Sequence, residues 1–360
     1  MNIGTKCIAF RSFFVSLHLQ SFMNSFGEHI KLTTFGESHG VAVGGVIEGF
    51  PAGVEVDENF IQTELDRRKP SQHKASTARK ESDRIEILSG IFEGKTLGTP
   101  IAFIIRNENQ QPDDYEYLRE IFRPGHADFT YAKKYGHYDH RSGGRSSARE
   151  TASRVAAGAF AKTILQSKGI EITATIKQIG TAKTPNDIER LLEQTKAEGD
   201  SIGGIIECVI KGCPVGIGEP VFGKLQARLA EAMMSIPAAK GFEYGEGFAS
   251  ATMKGSEHND AYIFDNEVKP ATNHSGGILG GISTGLDIVF RVAFKPIASI
   301  SKPQQTVDKK GNSVELANRG RHDVCCVPRA LPVVEAMTAL VLLHFFVPKK
   351  TKQKKALRKL

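Results

Sequence analysis

The sequence lacks the cysteine patterns of a disulfide framework or a structural zinc site. It has five cysteines, an odd number, and no two of them form a CxxC pair. Secreted disulfide-rich domains and zinc sites need paired cysteines at set spacings. We therefore expect a reducing compartment, the cytoplasm. The cysteines are Cys7, Cys208, Cys213, Cys325 and Cys326.

Several cofactor and catalytic signatures are also absent. No GxGxxG is followed by an acidic residue, which gives no support to a Rossmann dinucleotide site. The Gly-rich segment 276–285 lacks the Lys-Ser/Thr pair of a P-loop, and no GxSxG elbow occurs. The HxxH pattern of His137 and His140 has no third ligand at metal spacing. The sequence therefore predicts no metal site.

No apolar run has the length and composition of a membrane span. The stretch 333–347 is apolar, but it is short and carries Glu335 and His344. A membrane-spanning helix needs about 20 predominantly apolar residues. We expect a buried C-terminal helix here and no membrane partner.

Positive charge is concentrated at the C-terminus. The formal net charge is +7, and residues 349–360 alone hold six Lys and one Arg with no acid, so the remainder is neutral (7 − 7 = 0). This pattern predicts a basic, disordered tail at 348–360 and no nucleic-acid-binding body. Residues 1–22 are expected to be a dispensable extension, since Met23 offers a second start. The chain contains no Pro/Ser-rich linker, so residues 23–347 are predicted to form a single catalytic domain.

The order of predicted elements favours an α+β fold. Helical spacing of apolar residues and short β-rich runs alternate irregularly rather than as repeated βαβ units. The segment 107–149 has little apolar periodicity and is predicted to be a long functional loop. Predicted helices are 57–68, 150–166, 186–199, 219–235 and 331–346; predicted strands are 41–51, 85–92, 101–106, 171–179, 204–210 and 286–294.

Two strand-forming segments resemble each other and hint at an internal duplication. GTPIAFII at 98–105 and GLDIVFRV at 285–292 share Gly, Ile and Phe at the same offsets. A match this short can also arise by chance. The alternative to chance is two similar sheets in one chain.

Three polar clusters carry the residue types of an active site. TTFGESHG at 33–40 places His39 between glycines, and histidine exchanges protons near neutral pH. RPGHAD at 123–128 and RSGGRSSARET at 141–151 combine glycines, serines and arginines before a helix, a pattern typical of anion binding. GRHDVC at 320–325 sets Asp323 beside an apolar run. Taken singly, each cluster could be a turn, a helix cap or a salt bridge.

Together, the clusters resemble the chorismate synthase family. The matching stretches are GESHGVAVGGVIEGFP, FRPGHADFTY, GGRSSARETASRVAAGAF, NHSGGILGG, KPIASI and RHDVCCVPRALPVVE, which extend over 23–347 in the family's order. The resemblance implies a helical layer between antiparallel sheets with an internal pseudo-duplication, usually assembled as a homotetramer. It also implies a lyase that eliminates phosphate from 5-enolpyruvylshikimate 3-phosphate to give chorismate, using reduced FMN without net redox change.

The resemblance also implies roles for individual residues. The proton-transfer and phosphate-release residues would be His39, His126 and Asp323, supported by Ser38 and Ser147. FMN would contact Arg145, Ser146, Ser147, Ala238, Gly280, Lys295, Ser299 and Arg321. Substrate or other anions would contact Arg68, Lys74 and Arg154.

The chain departs from the family pattern at several of these contacts. The family often has Arg at Lys69 and Lys74, and lysine lacks the bidentate fork of arginine. Ile297 and Ala298 stand where hydroxyl residues are usual. Other departures are Ser71 and Ser142 in place of Gly, and Pro237 in place of Asn.

Two alternatives are a flavin reductase that shares the FMN site and an RNA-associated module built on the basic tail. A reductase predicts a nicotinamide-binding segment, for which the sequence gives no sign. How FMN would be reduced is open: an external flavin reductase would supply the electrons, and NADPH would be used only if the reduction is intrinsic.

Overall fold

The computed structural model describes residues 24–69, 82–108, 112–318 and 323–347. The extension and the tail predicted at the two termini lie outside these ranges. So do Ser71, Lys74 and Arg321.

The first half of the chain forms a five-stranded antiparallel sheet, and the long helix Thr151–Gln166 packs on it. A shorter helix, Glu58–Arg67, begins where the Asp57 carboxylate accepts bonds from the backbone N–H groups of Asn59 and Phe60, a typical N-cap. A small three-stranded sheet of β4, β7 and β6 lies beside the main sheet, whose order is β1-β2-β3-β8-β5. The elements are β1 (Ser25–Phe26), β2 (Lys31–Phe35), β3 (Ala42–Glu48), β4 (Ala52–Glu55), α1 (Glu58–Arg67), β5 (Ile85–Ser89), β6 (Ile91–Phe92), β7 (Lys95–Leu97), β8 (Ile101–Arg106), α2 (Asp128–Tyr135) and α3 (Thr151–Gln166).

The second half forms a four-stranded antiparallel sheet of order β11-β16-β10-β9, with three two-stranded hairpins beside it. Alternate residues of its strands are buried, as in a sheet covered on one face. The elements are β9 (Glu171–Ile179), α4 (Pro185–Ala197), β10 (Gly204–Lys211), α5 (Leu225–Met234), β11 (Ala239–Tyr244), α6 (Gly255–His258), β12 (Tyr262–Asp265), β13 (Glu267–Pro270), β14 (Ile278–Leu279), β15 (Ile282–Ser283), β16 (Ile288–Phe294), β17 (Gln304–Val307), β18 (Ser313–Leu316) and α7 (Val327–Phe346).

The two main sheets share one topology, which confirms the duplication expected from the sequence. In chain order, the first sheet uses β2, β3, β5 and β8, and the second uses β9, β10, β11 and β16. In both sheets the fourth strand inserts between the second and the third. A helix, α1 or α5, joins the second strand to the third, and a long helix, α3 or α7, follows the fourth. The matching segments 98–105 and 285–292 end in the equivalent strands β8 and β16.

The helices form a layer between the sheets. The long helices α3 and α7 pack on each other, α3 also contacts β2, β3 and β8, and α7 contacts β9 and β10. Gly158 lies where they cross, and a Cβ there would stand 2.3 Å from the Cβ of Ala336. Small residues are therefore required at this crossing. The fold is the predicted helical layer between antiparallel sheets.

The expectation that no apolar run has the length and composition of a membrane span was wrong, since α7 is long and apolar enough to cross a membrane by those two criteria. However, 72% of its most apolar window is buried inside the protein. The sequence prediction of a start at residue 331 was wrong, because the helix begins at Val327 and contains Pro332. Pro328 occupies the first turn, where proline needs no helical donor partner. The helix is a core element, as expected.

Two other predictions need correction. The segment 107–149 is not wholly a loop, since it contains α2 and a 3₁₀ helix at Pro112–Leu118. The apolar pattern missed α2 because its buried residue is Asp128, an ion-pair partner rather than an apolar side chain. The helix predicted at 219–235 spans only Leu225–Met234, and Gly223 and Lys224 end the preceding turn.

Candidate active site

A cavity of about 420 Å³ opens at the N-terminal ends of α3 and α7. The two halves line it with corresponding segments. One pair of segments follows β8 and β16, and the other pair is the short segments that follow α1 and α5. This size is typical of small-molecule sites. Its apolar walls are Ile236, Pro237, Ala238, Phe294, Pro296, Ile297, Ala298, Ala330 and Val333.

The cavity collects many of the residues singled out from the sequence. They come from segments far apart in the chain and share polar or charged side chains, except for one alanine. Those that line the cavity are Arg68, His126, Ser146, Ser147, Ala238, Lys295, Ser299 and Asp323.

The ring of His126 is fixed by a hydrogen bond on each nitrogen. Its Nδ1 lies 3.0 Å from the Pro124 carbonyl oxygen, which can only accept, so Nδ1 carries the proton. Its Nε2 lies 3.0 Å from Ser299 Oγ and accepts from that hydroxyl when the ring is neutral. Burial, reinforced by the charge of Arg123, lowers the pKa of His126 to about 4. The ring is therefore neutral at pH 7.

A buried ion pair supports the loop that carries His126. Arg123 Nε and Nη2 donate to the two carboxylate oxygens of Asp128 at 2.7 and 2.6 Å. Asp128 also accepts from the backbone N–H of Arg123. A bidentate pair of this kind fixes the geometry of the turn between its members, which includes His126.

Lys295 bridges the two halves at the cavity wall. Its Nζ donates to the Gly125 carbonyl at 2.9 Å, and its backbone N–H donates to the Ala238 carbonyl at 2.9 Å. Ala238 has a φ of +70°, an uncommon left-handed conformation for a residue with a side chain. A cation and the hydroxyl of Ser299 thus face the cavity from one loop.

Arg68 reaches the cavity from a buried position behind it. Its Nη2 donates to Asp83 Oδ2 at 2.8 Å, and Arg149 bonds the other oxygen of the same carboxylate. Burial lowers the pKa of Arg68 to about 10. Burial alone would raise the pKa of Asp83, but the charges of Arg68 and Arg149 outweigh it and hold the value at about 2.

Asp323 lies just before the N-terminus of α7 and forms an ion pair with Arg329. Arg329 Nη1 donates to Asp323 Oδ2 at 2.5 Å, and its Nε donates to the Arg68 carbonyl at 3.2 Å. The carboxylate is thus held in a fixed direction at the cavity wall. Cys326 also lines the cavity, and burial raises the pKa of its thiol to about 11, so it is a thiol at pH 7.

The serines before α3 lie on a tight turn. Gly143 and Gly144 both have positive φ, at +109° and +52°, and Ser142 has +55°. Ser146 Oγ donates to the Gly143 carbonyl at 2.8 Å, and the Ser147 hydroxyl accepts from the Arg149 backbone N–H. The turn brings backbone close to the cavity, as flat or anionic ligands require.

Ser38 and His39 lie next to the cavity rather than in its lining. Ser38 N donates to the Gly144 carbonyl, one residue from the lining residue Gly143. Both side chains are buried, with Ser38 Oγ 3.2 Å from His39 Nδ1. The His39 ring meets Tyr115 edge to face.

Three other predicted residues point elsewhere in the described structure. Arg145 donates to the Thr34 carbonyl at 2.8 Å, and Arg154 Nε donates to Glu150 at 2.9 Å. Gly280 lies in the β14–β15 turn, at a separate groove with Phe242. The cavity, as described, therefore does not include these three residues.

The structure adds residues whose roles the sequence reasoning did not assign. Arg329 orients Asp323, Arg123 supports the His126 turn, and Asp83 joins two arginines. Arg123 lies within a cluster already noted, and Arg329 lies in the matching stretch RHDVCCVPRALPVVE. Asp83 gave no signal of its own beyond being an acid before a strand in a basic segment.

Comparison with known proteins identifies the family to which this fold belongs. The family model described as chorismate synthase matches residues 30–347. The chain belongs to the chorismate synthase family. A chorismate synthase of Bacteroides thetaiotaomicron is 54% identical over 355 residues, with 92% of this chain and 99% of that protein covered. One of Opitutus terrae is 54% identical over 350 residues, with 90% and 96% covered.

A solved structure agrees with the fold. A chorismate synthase crystal structure superposes with a TM-score of 0.71 at 30% identity, covering 93% of this chain and 98% of that one. Membership of the chorismate synthase family makes the chain a lyase of the shikimate pathway and of aromatic amino-acid biosynthesis, acting on a small molecule. The family uses reduced flavin. The reductase and RNA-module alternatives receive no support from these matches.

Proposed function

We propose that the cavity binds reduced FMN and 5-enolpyruvylshikimate 3-phosphate, and that the chain forms chorismate by trans-1,4 elimination of phosphate. The observation that carries the proposal is the joining of apolar walls with Arg68, Lys295 and His126 in one cavity built by both halves. A planar aromatic ring system needs apolar walls, and a phosphorylated dicarboxylate needs cations.

The residues present fit a flavin mononucleotide. The walls formed by Ile236–Ala238, Phe294 and Pro296–Ala298 are apolar, and the glycine turn before Ser146 allows close approach of backbone. Lys295 and Ser299 supply a cation and a hydroxyl for a phosphate. Ile297 and Ala298 line the same wall and provide no hydroxyl, so this chain would hold the phosphate with fewer side-chain bonds than its relatives.

The elimination removes phosphate from C3 and a hydrogen from C6 without net oxidation. Reduced FMN, held between the apolar walls with its phosphate near Lys295 and Ser299, would supply electron density to the allylic system and an acceptor for the hydrogen that leaves C6. The chain must therefore bind anions, stabilise the leaving phosphate and exclude water. Arg68 and Lys295 are placed to bind anions and stabilise charge on the phosphate.

His126 is placed to assist phosphate release. Its pKa of about 4 keeps it neutral, with its proton on Nδ1, and an anion near Nε2 would raise the pKa and favour protonation there. A protonated Nε2 can donate to a phosphate oxygen as the C–O bond breaks. Ser299, already 3.0 Å from Nε2, would then reorient its hydroxyl.

Asp323 is placed to accept and relay a proton at the cavity wall. Its side chain is held by Arg329, which leaves a directed carboxylate facing the flavin-binding space. Ser147 lines the cavity from the turn that precedes α3. His39, next to the cavity with Ser38, would exchange protons with the flavin through groups nearer to it. For Arg145, Arg154, Gly280, Lys74 and Arg321, ligand contact remains a prediction of the resemblance.

We also propose that the chain assembles as a homotetramer in the cytoplasm. Its FMN would be reduced by an external flavin reductase, and NADPH would be used only if the reduction is intrinsic. The apolar hairpin β12–β13 supports self-association, since Tyr262, Phe264 and Val268 are 64%, 78% and 69% exposed. The proposal keeps residues 23–347 as one catalytic domain, with 1–22 dispensable and 348–360 a tail.

The test is anaerobic phosphate release from 5-enolpyruvylshikimate 3-phosphate with dithionite-reduced FMN, with chorismate detected as product. We expect turnover that depends on reduced flavin. Oxidised FMN with NADPH, in place of dithionite, then asks whether reduction is intrinsic. A folded, FMN-binding protein that releases no phosphate would contradict the proposed reaction.

A further inference from the structure

One buried carboxylate joins two arginines behind the cavity. Asp83, Arg68 and Arg149 are 1%, 3% and 6% exposed. Arg68 bonds Oδ2 of Asp83, and Arg149 bonds Oδ1, so both oxygens of the carboxylate are used. Asp83 adopts a φ of +48°, an uncommon left-handed conformation for a residue with a side chain. The surrounding contacts maintain it.

The Arg68 branch leads to the cavity. Arg68 lines the cavity wall, and among the described residues its buried Nε has no hydrogen-bond partner. Within that same part of the chain, Asp83 is the carboxylate paired with Arg68, while the charges of Arg329 and Arg149 both oppose its protonated form. Without Asp83, the buried guanidinium of Arg68 would lie near the cations Arg329 and Arg149 and would have no counter-charge of its own. Burying an unpaired charge is costly.

The Arg149 branch leads to the Ser38–His39 turn. Arg149 Nε donates to Asn107 Oδ1 at 2.8 Å. Asn107 Nδ2 in turn donates to the carbonyls of Glu37 and Gly40, at 3.1 and 2.8 Å. These two carbonyls flank Ser38 and His39. Two buried side chains, Asn107 and Arg149, therefore connect this turn to the carboxylate that holds Arg68.

We propose that Asp83 is a positioning residue that holds Arg68 as the anion-binding cation of the cavity and, through Arg149 and Asn107, fixes the turn of Ser38 and His39. This inference rests on the proposed function. Asp83 does not line the cavity, so it acts through Arg68 rather than on the substrate. One carboxylate thus sets the geometry of two sides of the site.

The test measures binding of 5-enolpyruvylshikimate 3-phosphate to the full-length FMN-loaded protein between pH 7 and 9. For Asp83→Asn we expect about tenfold weaker binding at pH 7, because Arg68 loses the carboxylate that orients its guanidinium. The loss, relative to the parent at each pH, grows toward pH 9, because the pKa of Arg68 falls further below about 10 without Asp83. Glu86→Gln is the matched control: it removes a nearby carboxylate that pairs with Arg106 at the surface.

A double-mutant cycle separates positioning from general destabilisation. If Asp83 acts through Arg68, then Asp83→Asn combined with Arg68→Gln binds no more weakly than Arg68→Gln alone. Additive losses would overturn the inference. So would Asp83→Asn binding with the parent's affinity and pH profile. A parent protein that does not bind the substrate would instead sink the proposed function.

Asp83→Glu keeps the test decisive should the Asn variant not fold. This variant retains the charge but moves the carboxylate by one methylene, so we expect binding about threefold weaker than in the parent, with the parent's pH profile. Parent-like affinity in Asp83→Glu beside an unfolded Asp83→Asn would show that the carboxylate serves folding alone.

Discussion

The two halves of the molecule have the same strand order but contribute different chemistry. After β8, the first half supplies a neutral histidine, His126, and the serine-bearing turn before α3. After β16, the second half supplies Lys295, Ser299 and the Arg329-bound Asp323. The equivalent segments meet at one cavity, so each half carries part of a single site.

This comparison shows how a duplicated scaffold produces an asymmetric site. Because α3 and α7 pack on each other with a small residue at the crossing, their N-termini lie side by side and bring the preceding loops together. The sheets are free to stay alike, since their task is to cover the helices. Under the proposed function, the loops diverge because one assists release of the substrate phosphate, whereas the other holds the flavin phosphate and relays a proton.

The sharpest way to break the comparison is to remove the carboxylate of the second half. Asp323→Ala should lower turnover about 10³-fold, within the range for loss of an acid–base group, while FMN affinity stays within about threefold. Anaerobic turnover and flavin titration measure the two effects. Asp265→Ala, which removes an exposed carboxylate paired with Lys269, serves as the control. Near-parental turnover in the Asp323 variant would remove it from the mechanism.

The packing of the two halves can be broken at their crossing. Gly158→Ala should destabilise the protein by about 3 kcal/mol, because the added Cβ would overlap Ala336 and the helices must separate. Denaturant unfolding measures this change. Gly255→Ala is the matched control, since no described atom outside its own neighbours lies within 4 Å of the added Cβ and its φ is not positive. Restored stability in Gly158→Ala with Ala336→Gly would confirm the crossing as the cause.

The comparison of the two halves can be sharpened by lowering the pH, which protonates His126 of the first half. His126 is held neutral, with its pKa lowered from 6.5 to about 4, so its contribution to stability is present above pH 6.5 and is lost as the pH falls from 6.5 toward 4. From pH 7 to pH 5 this loss is about 2 kcal/mol. The difference in unfolding free energy between the parent and His126→Asn should shrink by that amount. A pH-independent difference would contradict the neutral, buried histidine.

The smallest expected effect concerns the turn of the first half. Ser142 has a φ of +55° where glycine is favoured, so Ser142→Gly should stabilise the protein by about 0.5 kcal/mol, the relief of strain less the entropy that glycine loses on folding. Thermal unfolding measures it. Ser82→Gly, at an exposed residue without positive φ, should give no gain. A loss of stability in Ser142→Gly would mean that the serine side chain contributes more than its backbone costs.

Local sequence patterns predicted most of the regular elements. Short apolar runs marked β8 and β16, and Asp57 marked the start of α1, because strand formation and helix capping depend on neighbouring residues. The pattern failed where a local element is held by charge, as in α2 through Arg123 and Asp128. It also placed the start of α7 too late, because Pro332 resembles a helix boundary.

The sequence by itself determined the family, the α+β class and the clusters that hold His126, Ser147 and Asp323, because motifs are written in consecutive residues. Only the tertiary structure decided which of these residues share a cavity, and that Ser38 and His39 lie beside it. Only the tertiary structure, too, could show that Asp83 holds Arg68 and Arg149. Contacts of this kind join residues far apart in the chain, and their energies depend on burial, which no local pattern records.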